Sequence, residues 1–142
     1  MNFQDQEGLQ RRLASLDPNL AEIQQKQLEF LQNILIKEDL NNNIKDFVRN
    51  LKTLANENRI MILLILAFQE RCICELEYLI GLSQPTTSHH VGRLEKGGYV
   101  ITKKQGKWVN VELTKKGRQA LDGQIDNKLP DFLNDLNGFR EK

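Results

Sequence analysis

A polar helix with both ends marked spans residues 83–97, and with its two flanks it restricts the fold more than any other stretch of the chain. Ser83 can accept a hydrogen bond from the first unpaired amides of a helix, Pro85 is tolerated only in a first turn, and Gly97-Gly98 supplies the stop. Between these marks Thr87, Val91 and Leu94 fall at i, i+4 and i+7, a narrow inward stripe that leaves Thr86, Ser88, His89, Arg93 and Lys96 to face elsewhere. Such a helix packs along one edge and shows hydrogen-bonding groups on the other.

Upstream, residues 75–80 read as a short amphipathic helix, followed by Gly81 where a left-handed cap belongs. Helix, glycine turn and polar helix make a helix-turn-helix. Downstream, residues 99–104 and 107–113 are strand-like runs joined by Gln105-Gly106, a hairpin with a basic tip. The expected fold is therefore mainly α with a β-hairpin wing (α+β), a winged helix-turn-helix carrying an extra N-terminal helix.

The run Ser83-Gln84-Pro85-Thr86-Thr87-Ser88-His89-His90-Val91 resembles the Ser-Gln-Pro-x-x-Ser-x-His-Leu pattern of the ArsR/SmtB winged-helix repressors. Lys103-Lys104-Gln105-Gly106-Lys107-Trp108-Val109 looks like their wing, and Leu54-Ala55-Asn56-Glu57-Asn58-Arg59-Ile60 is similar to the start of their second core helix. The resemblance covers residues 44–125 and implies a homodimer that binds a palindromic operator in double-stranded DNA, pairing through its terminal helices.

The chain of 142 residues holds one domain's worth of core, and its longest apolar run covers residues 60–68. A membrane span needs ~20 such residues, so this run reads as a buried helix. With a mostly polar start and no apolar leader, the expected location is cytoplasmic. The formal net charge of +1 hides an asymmetry. Residues 83–118 carry eight Lys and Arg against Glu95 and Glu112, a net +6 on a body that is otherwise acidic. A basic footprint of this kind suits a polyanion, because phosphate contacts supply most sequence-independent affinity; a solvated lysine face is the plain alternative.

In chain order, residues 1–42 read as an N-terminal helical extension for dimerisation or packing, residues 43–121 as the DNA-binding domain, and residues 122–142 as a C-terminal dimerisation helix kinked at Pro130. In the extension, Leu9, Leu13 and Leu16 form one short apolar row, and Leu20, Ile23, Gln27, Phe30 or Leu31, and Ile34 continue at near-helical spacing, with Asp17-Pro18 capping this second start. Asn41-Asn42-Asn43 is expected to break the chain before a helix marked by Ile44, Phe47, Val48, Leu51 and Leu54. Asn56 caps the helix that follows.

The expected DNA contacts are Gln84, Thr86, Ser88 and His89 at base edges or phosphates, Arg93 at a phosphate, and Lys103, Lys104 and Lys107 on the flanking backbone. His90 lies beside the inward stripe and reads as a packed histidine. It and His89 point about 100° apart on a helix, a poor pair for one metal ion.

Cys72-Ile73-Cys74 is the only run that suggests a sensor, and these are the only cysteines. Their side chains share a face in extended backbone and diverge by about 200° in a helix, so both sulfurs converge only if the helix start is strand-like. Thiolates select soft ions. Arsenic-sensing members of the resembled family carry Cys-Val-Cys-Asp-Leu-Cys here, whereas this chain has Glu77 in the third place, lacks N-terminal cysteines and has no histidine after His90. The resemblance thus implies As(III) or Sb(III) on Cys72 and Cys74, completed by Glu77 or solvent. A dithiol–disulfide switch and inert core cysteines are the alternatives. For function as a whole the rival is a winged helix used as a protein-interaction module; no nucleophile–base pair, phosphate loop or complete metal set points to an enzyme.

Overall fold

The computed structural model describes residues 6–123, and the chain divides into two compact units with the boundary between Phe47 and Val48. In the first, α1 (Gln6–Ala14) packs on α2 (Pro18–Leu35), with Leu13 buried. Asp17 caps α2 as its position suggested, its carboxylate accepting the Asn19 N–H at 3.0 Å with Pro18 in the first turn. The α2 stripe remains uncovered: Ile23, Phe30 and Leu31 are all exposed.

α3 (Glu38–Leu54) runs straight through Asn41, Asn42 and Asn43, where a break was expected. The break falls instead at Ile36 and Lys37, whose amides bond back to Gln32 and Ile34 and close α2. Glu38 and Asp39 then favour a fresh N-terminus through the helix dipole, and three asparagines, each costing under about 0.7 kcal/mol in a helix interior, do not undo it. The expected kink at Pro130 and most of the proposed C-terminal helix lie outside the described residues.

The second unit is built around α4 (Glu57–Phe68), in which Ile62, Leu63, Leu64, Leu66 and Ala67 are buried. Asn56 caps it by accepting the Arg59 N–H at 3.1 Å. Leu76, Val91, Leu94, Tyr99, Val100, Val111 and Leu121 close on α4 from the later elements. Each such large side chain contributes about 1.5–3 kcal/mol by leaving water. Arg59 fastens the unit: its guanidinium donates to the carbonyls of Thr53 and Lys52 at 2.5 and 3.0 Å, satisfying the end of α3, and reaches His90 Nδ1 at 3.4 Å.

β1 (Arg71–Cys72) leads into α5 (Ile73–Ile80) and α6 (Gln84–Lys96), followed by β2 (Val100–Gln105), β3 (Trp108–Leu113) and α7 (Lys115–Gly123). The sheet is antiparallel in the order β1-β3-β2, so the hairpin gains a third strand, with Arg71 opposite Val111 and Cys72 opposite Asn110. Gln105 pairs with Trp108, which moves the two-residue turn one position on, to Gly106 and Lys107. Gly106 holds φ at +60°, the left-handed value a tight hairpin turn demands. Thr114 caps α7 by accepting the Gly117 N–H at 3.1 Å. At Gly117 a β-carbon would run into the Tyr99 carbonyl and the Leu113 side chain, so only glycine fits there. Among the described residues no helix is long and apolar enough to cross a membrane.

Replacing Arg59 by Ala strands two carbonyls and a buried imidazole, and should lower unfolding free energy by about 2–3 kcal/mol in urea denaturation. Arg59→Lys, which keeps charge but not the fork, should recover less than half of that.

Candidate functional site

Gly81, at φ +76°, ends α5 with its N–H on the Glu77 carbonyl at 2.8 Å and turns the chain into α6. Ser83 then serves as a double cap. Its hydroxyl accepts the Thr86 N–H at 3.4 Å and donates to Thr86 Oγ1 at 2.9 Å, while its carbonyl accepts from the fully buried Thr87 hydroxyl at 2.9 Å. With Thr87, Val91 and Leu94 locked inward, Gln84, Thr86, His89 and Arg93 lie exposed and Ser88 half-buried on the outer side of α6.

His90 is buried, as its place beside the stripe suggested. Arginine only donates, so Nδ1 is the acceptor and the ring proton sits on Nε2. Burial first, then the Arg59 charge and His89, push the His90 pKa down from its ordinary value.

On the wing, Lys103 donates to Glu112 across the hairpin at 2.8 Å, an interaction that raises the lysine pKa. Lys107 lies over the Trp108 ring at 5.0 Å, and Lys104 is exposed. The Glu95 carboxylate of α6 accepts the Thr102 N–H of β2 at 2.7 Å, which ties the wing to the polar helix. Two members of the basic footprint serve the fold instead. Lys116 donates to the Gly97 carbonyl at 2.6 Å and sits on the Tyr99 ring, and Arg118 donates to the Ala67 carbonyl at 2.9 Å. Arg93, Lys96, Lys103, Lys104, Lys107 and Lys115 are left to carry the positive surface.

Cys72 closes β1 in extended backbone (φ −71°, ψ 158°) and is the N-cap of α5, while Cys74 lies in that helix's first turn. The strand-like start that convergence requires is thus present: the Cα atoms are 5.4 Å apart and the sulfurs are joined as a disulfide. Glu75 accepts the Cys72 N–H at 3.1 Å and the Arg71 guanidinium at 2.9 Å. The Cys72 amide above all holds the Glu75 carboxyl below its usual range; burial opposes it, and the hydrogen bond and charge of Arg71 add to the lowering. Among the described residues no three His, Cys, Asp or Glu side chains are gathered as a metal-ligand set. Glu77 nevertheless lines, with Cys72, Cys74, Gln84, Lys107 and Trp108, a cavity of about 270 Å³.

Sequence reasoning missed Trp108 and the nearness of the wing tip to the sulfurs. That neighbourhood follows from β1 pairing with β3, and a two-residue strand leaves no alternation to read. The only signal was the β-branched Ile73 between two cysteines, a composition that suits extended backbone.

Comparison with known proteins places this geometry. Residues 56–102 match the family described as bacterial regulatory protein, arsR family. The arsenical resistance operon repressor of Escherichia coli (strain K12) is 41% identical over 64 residues, 44% of this chain and 55% of that protein. The biofilm growth-associated repressor of Xylella fastidiosa (strain Temecula1) is 33% identical over 95 residues, 67% of this chain and 80% of that protein. Among solved structures, the homodimeric winged helix-turn-helix DNA-binding domain Mb0332 from Mycobacterium bovis superposes with a TM-score of 0.53 at 25% identity, covering 57% of this chain and 75% of that one. The chain spans little more than half the length of the arsenical repressor it matches.

The depressed His90 pKa sets a pH dependence. Above the ordinary histidine value of about 6.5 the group is neutral in folded and unfolded chains alike, and its contribution to stability is intact. As pH falls from there through the lowered native pKa, the unfolded chain takes up a proton that the native ring refuses, and stability is lost. Urea midpoints measured from pH 7 to 5 should fall more steeply for the wild type than for His90→Gln.

Proposed function

Because the chain belongs to the arsR family of bacterial regulatory proteins, we propose that it is a sequence-specific DNA-binding transcriptional regulator, a repressor that binds a palindromic operator as a homodimer. The observation that carries this reading is the rigid pairing of two unlike surfaces. α6 offers a row of polar groups sized for a major groove, and the basic hairpin is fastened to it through Glu95 and Thr102. On this reading Gln84, Thr86, Ser88 and His89 meet base edges or phosphates, Arg93 meets a phosphate, and Lys104 and Lys107 meet the flanking backbone. Lys103 contributes less, since Glu112 offsets its charge. The exposed apolar residues of α2 and α3, among them Phe30, Leu31, Phe47 and Leu51, together with the homodimeric domain from Mycobacterium bovis, support a second copy as partner.

The regulator leaves its operator when Cys72 and Cys74 bind a thiophilic ion such as As(III) or Sb(III), with Glu77 or solvent as third donor. The arsenical repressor among its relatives and the convergence of both sulfurs with Glu77 on one cavity support this. A second reading, a redox switch, is favoured by the sulfurs lying within bonding reach. In it two thiols pass two electrons and two protons to a peroxide, which leaves as water or alcohol and water, and the resulting disulfide lowers operator affinity. A winged helix acting as a protein-interaction module, the remaining alternative, would show no salt-sensitive duplex binding.

The test is fluorescence anisotropy with a duplex selected from random sequence. Gln84→Ala should cost about 1–3 kcal/mol and relax specificity at one position, whereas Lys104→Ala should weaken all duplexes alike and reduce the salt slope by about one. Arsenite should release the wild type and not the Cys72→Ser/Cys74→Ser protein; release by peroxide, reversed by a dithiol, selects the redox reading. No duplex affinity in dilute buffer would end the regulator account.

A further inference from the structure

Every glycine from Gly81 to Gly117 has a reason inside the molecule except Gly92. Gly81, Gly98 and Gly106 hold a left-handed φ, and a β-carbon at Gly97 or Gly117 would run into Tyr99. Gly92 lies exposed in the body of α6 without a positive φ. Its own helix backbone aside, no atom of the described residues comes within 4 Å of where its β-carbon would stand. Glycine weakens a helix interior, because it surrenders more chain freedom on folding than any other residue, and the fold alone would be better served by alanine.

The surroundings of Gly92 point outside the molecule. At 3.6 residues per turn it lies opposite the buried Thr87, His90 and Leu94, within about 60° of Ser88 and His89 on one turn and of Lys96 on the next, with Arg93 about 100° away. On its other flank the Glu95 carboxylate accepts the Thr102 N–H at 2.7 Å, so β2 of the wing borders that side. Before it Gln84, Thr86 and Ser88 are uncharged; after it Arg93 and Lys96 are cations.

We propose that Gly92 is where a sugar–phosphate strand of the duplex crosses α6 against bare helix backbone, passing between Arg93 and Lys96 on one side and the wing on the other. The proposal rests on the DNA-binding reading and adds the residue that sets how closely the helix approaches the duplex. A recognition helix reads base edges with its N-terminal residues, so its later turns lie over the strand that bounds the groove. The depth that Gln84 and Thr86 reach is then limited by the separation at the crossing. A β-carbon at position 92 lifts the helix off the strand, which lengthens the base contacts and weakens the attraction of Arg93 and Lys96 for phosphate, since that attraction falls with distance.

The test uses the full chain with Gly92→Ala and Gly92→Leu, two uncharged good helix formers that add one carbon and four. At one protein concentration the thermal midpoint of Gly92→Ala should rise by about 2–4 °C. In fluorescence anisotropy its affinity should nevertheless fall about tenfold, the size of one good contact, and that of Gly92→Leu further. The factor should be the same for the selected operator and for a random duplex in dilute buffer, because the strand carries no sequence. Wild-type affinity in both variants would overturn the crossing and leave the DNA-binding reading intact. Loss confined to the selected operator would put a base edge against Gly92 and overturn it too, and a lowered midpoint in Gly92→Ala would show that the fold itself needs the glycine. Absence of wild-type binding to either duplex would end both readings.

Discussion

Cys72 is where the reading unit is held together. Its strand position places it opposite Asn110 of the wing, its amide is bound by Glu75 as the cap of α5, and its sulfur is joined to Cys74. A change in the backbone of this one residue therefore reaches the hairpin through the sheet and α6 through α5. β1 is only two residues long, so few ladder bonds resist such a change. Elements that hold function by few bonds are the ones free to open locally without unfolding the core. The core has no such freedom: Leu63, Leu76, Leu94 and Val111 are wholly buried.

What the sequence made legible was local. Ser83, Pro85 and Gly81 mark their helix ends by chemistry that acts over three or four residues, and Thr87, Val91 and Leu94 declare an inward face by spacing alone. Asn56 acts as a cap for the same reason. The helix-turn-helix, the hairpin and the central α4 were thus all readable. The wing turn was misplaced by one residue because Gln105 and Lys107 are both plausible beside Gly106, and only pairing with Trp108 decides between them. Asn41 to Asn43 misled because weak helix propensity gives way to a well-placed acidic N-terminus nearby. The cavity was not legible at all, since it depends on a pairing between residues nearly forty positions apart.

Charge counting overstated the surface and understated its order. Lys116 and Arg118 lie inside the counted footprint, yet they end on the carbonyls of Gly97 and Ala67, where a cation satisfies the exposed acceptors at chain turns. Lys103 is offset by Glu112 within its own hairpin. What remains is a smaller positive arm at the turn, with Lys107 braced on an aromatic ring. A lysine held in that way gives up less side-chain freedom on meeting a phosphate than one moving freely in water.

The two candidate switch chemistries ask different things of the same sulfurs. A disulfide needs only the approach that the extended Cys72 backbone already provides. A three-coordinate soft ion needs the sulfurs separated to flank it and a third donor brought in. Glu77 sits three residues beyond Cys74, close to one helical turn, so it faces the same cavity without being gathered to the pair. Rotation about the cysteine side-chain bonds can open the sulfurs while the strand pairing stays in place; moving Glu77 inward requires its carboxylate to leave solvent, a cost that only a cationic centre offsets. A two-thiol reaction, by oxidation or by capture of a soft electrophile, would therefore ask less of this fold than a complete three-ligand site.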